Sequence, residues 1–351
     1  MIAFILINVI ICQKIQNIEE PKIEHFFDEL KLIYLEWIDA KTIQSIQRFM
    51  NLLKEFNLLS FEKEIKEFDI FFKARSSNQV LTRWDMFHIP FNKRYLIGNQ
   101  RFSLTGQPML YVGSSVLDVA EEIGIDKIAD MKISYVQLPQ KGLKIFDLRN
   151  NLAEEYDNLL FSLLIETETT VFNETYFFKM ILASVCSFQK RQDLKGYTFC
   201  EEYVLPQILA QILKEQKFDG IAYYSTKRYN EIKYNTSNDF EIMDYKENIA
   251  IFTSLNEDHV YDKELFDKIT ISVPVDIKKI ENVTINDLEE IIKEIGQSKG
   301  QEKIVVAEKL FFHFKRIYEK INISNESYFE SEYGRLHMYE IYSVLNNILI
   351  A

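Results

Sequence analysis

Between residues 20 and 67 apolar side chains recur at spacings of three and four, with charged residues between them. The run "FFDELKLIYLEWIDAKTIQSIQRFMNLLKEF" contains neither glycine nor proline, a pattern that predicts amphipathic helices. From about Phe68 the period shortens. "FDIFFKAR", "PMLYVG", "KISYVQLP", "LKIFDL", "FDGIAYYS", "NIAIFTS" and "ITISVPV" read as strands, the first two separated by a turn-rich stretch punctuated by Pro90, Gly98, Gly106 and Pro108. "EEYVLPQILAQILKEQ" interrupts the strands as an amphipathic helix with Pro206 in or near its first turn. After about residue 280 the helical period returns. Thr284 with Asp287 three residues on marks a helix start, Ile285, Leu288, Ile291, Ile292 and Ile295 form its apolar face, and Gly296 is expected to end it. "EKIVVAEKLFFHFKRIYEKI" and the last twenty-odd residues supply two more helices. The layout is α+β, without the regular βαβ alternation of a dinucleotide-binding domain.

One stretch concentrates turn chemistry. "RFSLTGQPMLYVGSSVLDVAEEIG", residues 101 to 124, holds three of the chain's ten glycines, and none occurs before Gly98. A strand ends at "YVG", Ser115 followed by Asp118 is a capping-box variant, and Gly124 is a helix stop. On the helical wheel Val116, Val119, Ala120 and Ile123 share a face, with Glu121 and Glu122 on opposite flanks. Periodicity does not choose between the two glutamates, and taken alone it reads both as solvated surface charges.

Composition narrows the functional classes. The 351 residues are 47% apolar and 14% aromatic, as in a folded protein with a sizeable core. The net charge of -12 argues against a broad grip on nucleic acid, so an anionic ligand must be held by a few local arginines or lysines. Cys12, Cys186 and Cys200 are odd in number and lack metal or disulfide spacing, and the five histidines are scattered. These features predict a reducing, cytoplasmic setting and no metal site. The opening "MIAFILINVIIC" is too short to span a bilayer and lacks the marks of a signal peptide, so it reads as a buried strand or the start of a helix, with no membrane partner. No glycine-rich phosphate loop, zinc-protease or esterase motif is present. Arg83 and His88 in "RWDMFH" have a spacing that could serve a metal-independent ribonuclease on a helix, but Pro90 and the extended "FHIPF" argue against a long helix there.

The order of several blocks carries further information. "FFKARSSN", "MFHIPFNKR", the stretch 101 to 124, "EEYVLPQILAQILKEQKFDGIAYYSTKR" and "NIAIF" together resemble the RES family, named for an arginine, a glutamate and a serine, over roughly residues 70 to 265. The "MFHIPF" block resembles a longer subgroup of it. The resemblance implies an ADP-ribosyltransferase-like mixed or antiparallel sheet core with an NAD cleft, flanked by helical regions. It divides the chain into an N-terminal helical region (1–67), a catalytic domain (68–265) and a C-terminal helical region (266–351). Characterised members are toxins of bacterial toxin–antitoxin pairs that degrade NAD by hydrolysis or phosphorolysis, or transfer ADP-ribose to a protein.

Carried over by position, the resemblance makes Arg75, Glu122 and Ser225 the catalytic set. It makes Arg75, Arg101, Tyr111, Ser225 and His88 the residues for NAD, and the spacing from Tyr111 selects Glu122 over Glu121. Typical members read "RWN" where this chain reads "RFS" at Arg101. These residue types suit the chemistry. Breaking the nicotinamide–ribose bond builds positive charge on the sugar, which a fixed carboxylate stabilises. An arginine fork suits pyrophosphate, a tyrosine can stack on nicotinamide, and a short hydroxyl can orient ribose or phosphate. NAD is expected as substrate, with no metal, and an antitoxin or a second copy of the chain as partner. Two rival readings stay open: mono-ADP-ribosylation of a protein target, and a non-catalytic binding module whose helical flanks are the working surface.

Overall fold

The computed structural model describes residues 18–124, 128–149, 174–189, 199–226, 232–234 and 246–350. The apolar N-terminal run lies outside the described residues. Helices are α1 (Glu20–Ile38), α2 (Thr42–Glu55), α3 (Val116–Ile123), α4 (Glu174–Val185), α5 (Val204–Glu215), α6 (Lys263–Lys268), α7 (Ile285–Ser298), α8 (Gln301–Tyr318) and α9 (Glu332–Ile350). Strands are β1 (Glu62–Lys63), β2 (Phe71–Ser76), β3 (Met109–Gly113), β4 (Met131–Gln137), β5 (Ile145–Asp147), β6 (Gly220–Tyr224), β7 (Ile232–Tyr234), β8 (Glu247–Phe252), β9 (Thr270–Ile271), β10 (Ile321–Ile323) and β11 (Glu326–Ser327). The architecture is mixed α and β.

Two compact units interleave along the chain. The first comprises residues 1–63, 98–105 and 144–224, and the second 64–97, 106–143 and 225–351. In the first, β5 pairs antiparallel with β1 and parallel with β6. Helix α5 packs on β6, and the α1–α2 pair packs on α5. The α1–α2 pairing is fixed by Arg48, which bridges Glu29 and Glu36 at 3.0 Å each, and by the Ser45 hydroxyl, which donates to the Ile33 carbonyl at 2.8 Å. The rings of Phe26, Phe56 and Phe178 close its core, with centroids 4.2 to 4.9 Å apart.

The second unit carries an antiparallel sheet in the order β8-β3-β2-β4-β9, and a small sheet β11-β10-β7. Strand alternation sorts β2 cleanly. Phe72 and Ala74 point into an apolar cluster with Val116, Val119 and Ala120 of α3 and the inner faces of α7, α8 and α9. Lys73 and Arg75 alternate to the other face. Thr284 and Asp287 form a full capping box, as the sequence predicts. Gly296, however, does not end α7, which runs on to Ser298. Its missing side chain makes room for Ile304 of α8, whose Cδ1 would stand 3.2 Å from a Cβ there. Similarly, "ITISVPV" yields only the two-residue β9, after which Ser272 bonds Tyr135 of β4 through both its amide (3.0 Å) and its hydroxyl (2.9 Å) and Val275 makes an isolated bridge to Ile133.

Candidate functional site

The turn from β3 into α3 is fixed by local chemistry. The Ser115 hydroxyl accepts from the Asp118 amide at 2.9 Å, and Gly124 closes α3 in the left-handed region at φ +66°. Just before it, the Ser114 amide donates to the Glu247 carbonyl at 2.7 Å and the Glu247 amide donates back to the Ser114 hydroxyl at 3.1 Å. That reciprocal pair pins the start of α3 to the start of β8. Helix α3 is buried almost all round: Val116, Leu117, Asp118, Val119 and Ala120 are all inaccessible or nearly so. Ile123, placed by periodicity on the inner face, is instead exposed at the helix end.

Glu122 sits where these segments meet. Its Oε1 accepts from the Ser225 hydroxyl at 2.5 Å and from the Asn248 side-chain amide at 3.3 Å. The Ser225 amide donates to the Lys246 carbonyl at 2.8 Å, so the serine is held beside the first turn of chain leading into β8. Glu122 is therefore an acceptor oriented by two neutral donors, the Ser225 hydroxyl and the Asn248 amide.

Around it lie more acids than the wheel predicts. Glu121 is not a surface charge: its side chain is 3% exposed, and its Oε2 faces Lys246 Nζ at 3.9 Å. Asp118, whose backbone completes the helix cap, buries its whole side chain, and neither carboxylate oxygen makes a hydrogen bond of good geometry, the neighbouring Ser225 hydroxyl being directed to Glu122. Burial raises the Asp118 pKa well above the usual carboxylate range, the charges of Glu122 and Glu121 raise it further, and Lys246 and the Ser225 hydroxyl oppose them. Gly113 is what admits this packing. A Cβ there would stand 2.6 Å from both Asn248 Oδ1 and Asp118 Oδ2, and 2.8 Å from Val119. No group of three or more His, Cys, Asp or Glu side chains among the described residues is placed to hold a metal ion.

A second group forms around Arg75. Among the described residues, neither Arg75 nor its neighbour Lys73 makes a side-chain hydrogen bond or ion pair. Burial lowers the pKa of Arg75, with Tyr261 and Asp85 acting against that, and Asp85 itself is bonded to Thr82. Burial and the Arg75 charge bring Lys73 down to about 7. Neither side chain is tied up in a salt bridge, and an arginine fork beside a lysine that is charged below about pH 7 is chemically suited to an anion. His88 stands close enough to feel both, but its ring is committed. Nδ1 donates to the Ile89 carbonyl at 2.7 Å and Nε2 accepts from the Asp262 amide at 2.9 Å.

The structure thus joins Glu122 to Ser225 and groups Arg75 with His88. No contact joins these two groups among the described residues. Tyr111 is half-buried in β3, opposite Ala250, and its hydroxyl contacts Met109 Sδ at 3.7 Å. Arg101 belongs to the first unit. There its guanidinium donates to the carbonyls of Cys186 (2.7 Å) and Phe188 (3.0 Å) and lies over the Tyr203 ring. Sequence reasoning missed Asp118, Lys246, Asn248 and Lys73. Asp118 reads in the sequence only as a cap residue, Lys73 and Asn248 lie inside the blocks "FFKARSSN" and "NIAIF" but at positions the resemblance gives no role, and Lys246 precedes a strand with no motif of its own.

The fold and cluster describe a mixed α/β protein with a hydrogen-bonded glutamate among buried acids. No family model matches the chain, and no solved structure matches it. Among curated proteins it is similar to "Putative toxin YopC" of Bacillus subtilis (strain 168). The two are 32% identical over 229 residues, covering 57% of this chain and 51% of that protein. The chain spans about half the length of this relative. No helix among the described residues is long and apolar enough to cross a membrane.

Proposed function

We propose that this chain is an NAD-consuming enzyme acting as a bacterial toxin, with its catalytic part within residues 68–265 and an ADP-ribosyltransferase-like fold. The observation that carries the reading is the Glu122 carboxylate, held by Ser225 and Asn248 at the end of a buried helix. Fixed acceptors in a low-dielectric wall stabilise positive charge far better than the same groups in water. In the reaction the C1′–N bond of the nicotinamide riboside breaks and nicotinamide leaves with the bonding pair, which neutralises its ring. Glu122 faces the positive charge developing on the ribose. Water or phosphate then bonds to C1′, a water losing its proton to solvent. Ser225 and Asn248 keep Glu122 oriented, and Arg75 with Lys73 suits the pyrophosphate. The similarity to "Putative toxin YopC" supports the toxin role.

The test is release of nicotinamide from NAD by the purified chain, with and without inorganic phosphate and with no protein acceptor. Turnover that Glu122→Gln lowers by about a hundredfold or more supports the reading. Label transfer to protein without free ADP-ribose would favour mono-ADP-ribosylation. An absence of both turnover and NAD binding would leave a binding module.

A further inference from the structure

Asp118 is the least accommodated polar group in the cluster. It is fully buried, neither oxygen makes a hydrogen bond of good geometry because the nearby Ser225 hydroxyl donates to Glu122, and two further carboxylates flank it. An isolated buried charge of this kind is so unfavourable that the group takes up a proton instead. The orientation of Asn248 points the same way. Its amide nitrogen donates to Glu122, which turns its carbonyl oxygen to the space over Gly113. Asp118 Oδ2 borders that same space, each oxygen 2.6 Å from one point. Two acceptors facing one small volume repel unless one carries a hydrogen, and only the aspartate can.

We infer that Asp118 is a neutral carboxylic acid in the folded protein and serves as a positioning residue. It backs the Glu122–Ser225–Asn248 group with a polar but uncharged surface, so that the acceptor charge of this trio resides on Glu122. The charged and titratable groups facing it are Glu121 and Glu122 from its own helix, and Lys246 from the entry to β8. Glu247, at the start of β8, buries its side chain in the same part of the unit. Strand β2 and helix α9 also pack on α3, but they join it through the apolar cluster. Their Lys73, Arg75, His337 and Glu340 are not among the charges that act on Asp118. The inference deepens the proposed function by assigning a support for Glu122, and its first two tests are independent of NAD.

Aspartate-labelled carboxyl NMR of the full wild-type chain at near-neutral pH should show a protonated aspartate that disappears in Asp118→Asn. In urea unfolding between about pH 5 and 9, the ratio of the wild-type unfolding constant to that of Asp118→Asn should rise, by up to about tenfold per pH unit, while folded Asp118 alone keeps its proton. The absence of any protonated aspartate in the wild type, or a ratio that does not change with pH, overturns the inference even if Asp118→Asn folds poorly. The third test rests on NAD turnover. Asp118→Asn should keep kcat near neutrality within about threefold. It should also lack the alkaline fall expected of wild type as Asp118 ionises beside Glu122. An unchanged alkaline limb in a well-folded Asp118→Asn removes the positioning role while leaving the NAD reading intact.

Discussion

The Ser225 hydroxyl donates to Glu122 Oε1 at 2.5 Å across a separation of 103 residues. With Asn248 on the same oxygen, the carboxylate is oriented by two neutral donors. Loss of either should therefore act on Glu122 geometry before it acts on folding.

For Ser225→Ala we expect nicotinamide release to fall about 10- to 100-fold, the range of one charge-assisted hydrogen bond, with kcat affected more than KM. Asn248→Ala should produce the smaller loss, since its bond is longer at 3.3 Å. Steady-state kinetics on both variants, with circular dichroism to check folding, decides the matter. Equal kcat in wild type and Ser225→Ala would show that this bond is not used.

Gly113→Ala tests the packing over β3. The added carbon would meet Asn248 Oδ1, Asp118 Oδ2 and Val119 below ordinary contact distance. We expect a loss of about 1–3 kcal/mol in denaturant unfolding, the usual range for overpacking, accompanied by loss of turnover as Asn248 is pushed from Glu122.

Lys73 gives a pH prediction. Its folded pKa is lowered to about 7 by burial and by Arg75. The unfolded chain then binds more protons than the folded one between about 7 and the ordinary lysine value, so this residue's contribution to stability rises with pH across that window. Affinity for an anion should move in the opposite direction, because it needs the ammonium form. The apparent KM for NAD should rise above about pH 7 in wild type and should be higher but flatter with pH in Lys73→Met. A KM profile identical in the two proteins would dissociate Lys73 from NAD.

His337 sets the acid limit of the second unit. It is buried among Phe72, Phe314 and Tyr318, its Nδ1 forms a hydrogen bond with the Tyr328 hydroxyl at 2.8 Å, and burial brings its pKa to about 3. Above its unfolded pKa near 6.5 the contribution is complete, and it is lost as pH falls towards about 3, by up to about 1.4 kcal/mol per pH unit. Melting of wild type should drop across that interval, and His337→Phe should melt lower at neutral pH but with a shallower acid slope.

Legibility in the sequence followed the reach of each signal. Local signals carried well: Ser115 and Gly124 bound α3, Thr284 with Asp287 starts α7, and the period-two runs at "FFKAR", "MLYVG" and "NIAIF" form β2, β3 and β8. The wheel failed on α3 because it assumes one wet side, and this eight-residue helix has almost none. Glu121 was consequently read as solvated, and Asp118 as no more than a cap. The resemblance puts Glu122 and Ser225 in one catalytic set, but their hydrogen bond emerges only from the fold, since no periodic signal spans such a distance. Lys246 and Asn248 flank the start of an ordinary strand, and only the register of β8 against β3, with Asn248 opposite Gly113, reveals what they face.

The Glu122 anchor also has a consequence in time. Its last member is Asn248, 126 residues after the glutamate, and it reaches its place only when β8 has paired with β3. A nascent or truncated chain that stops short of this point has the glutamate and the serine but lacks both the strand and the amide that orient them. Translation alone thus withholds the finished carboxylate until β8, residues 247 to 252, has been made.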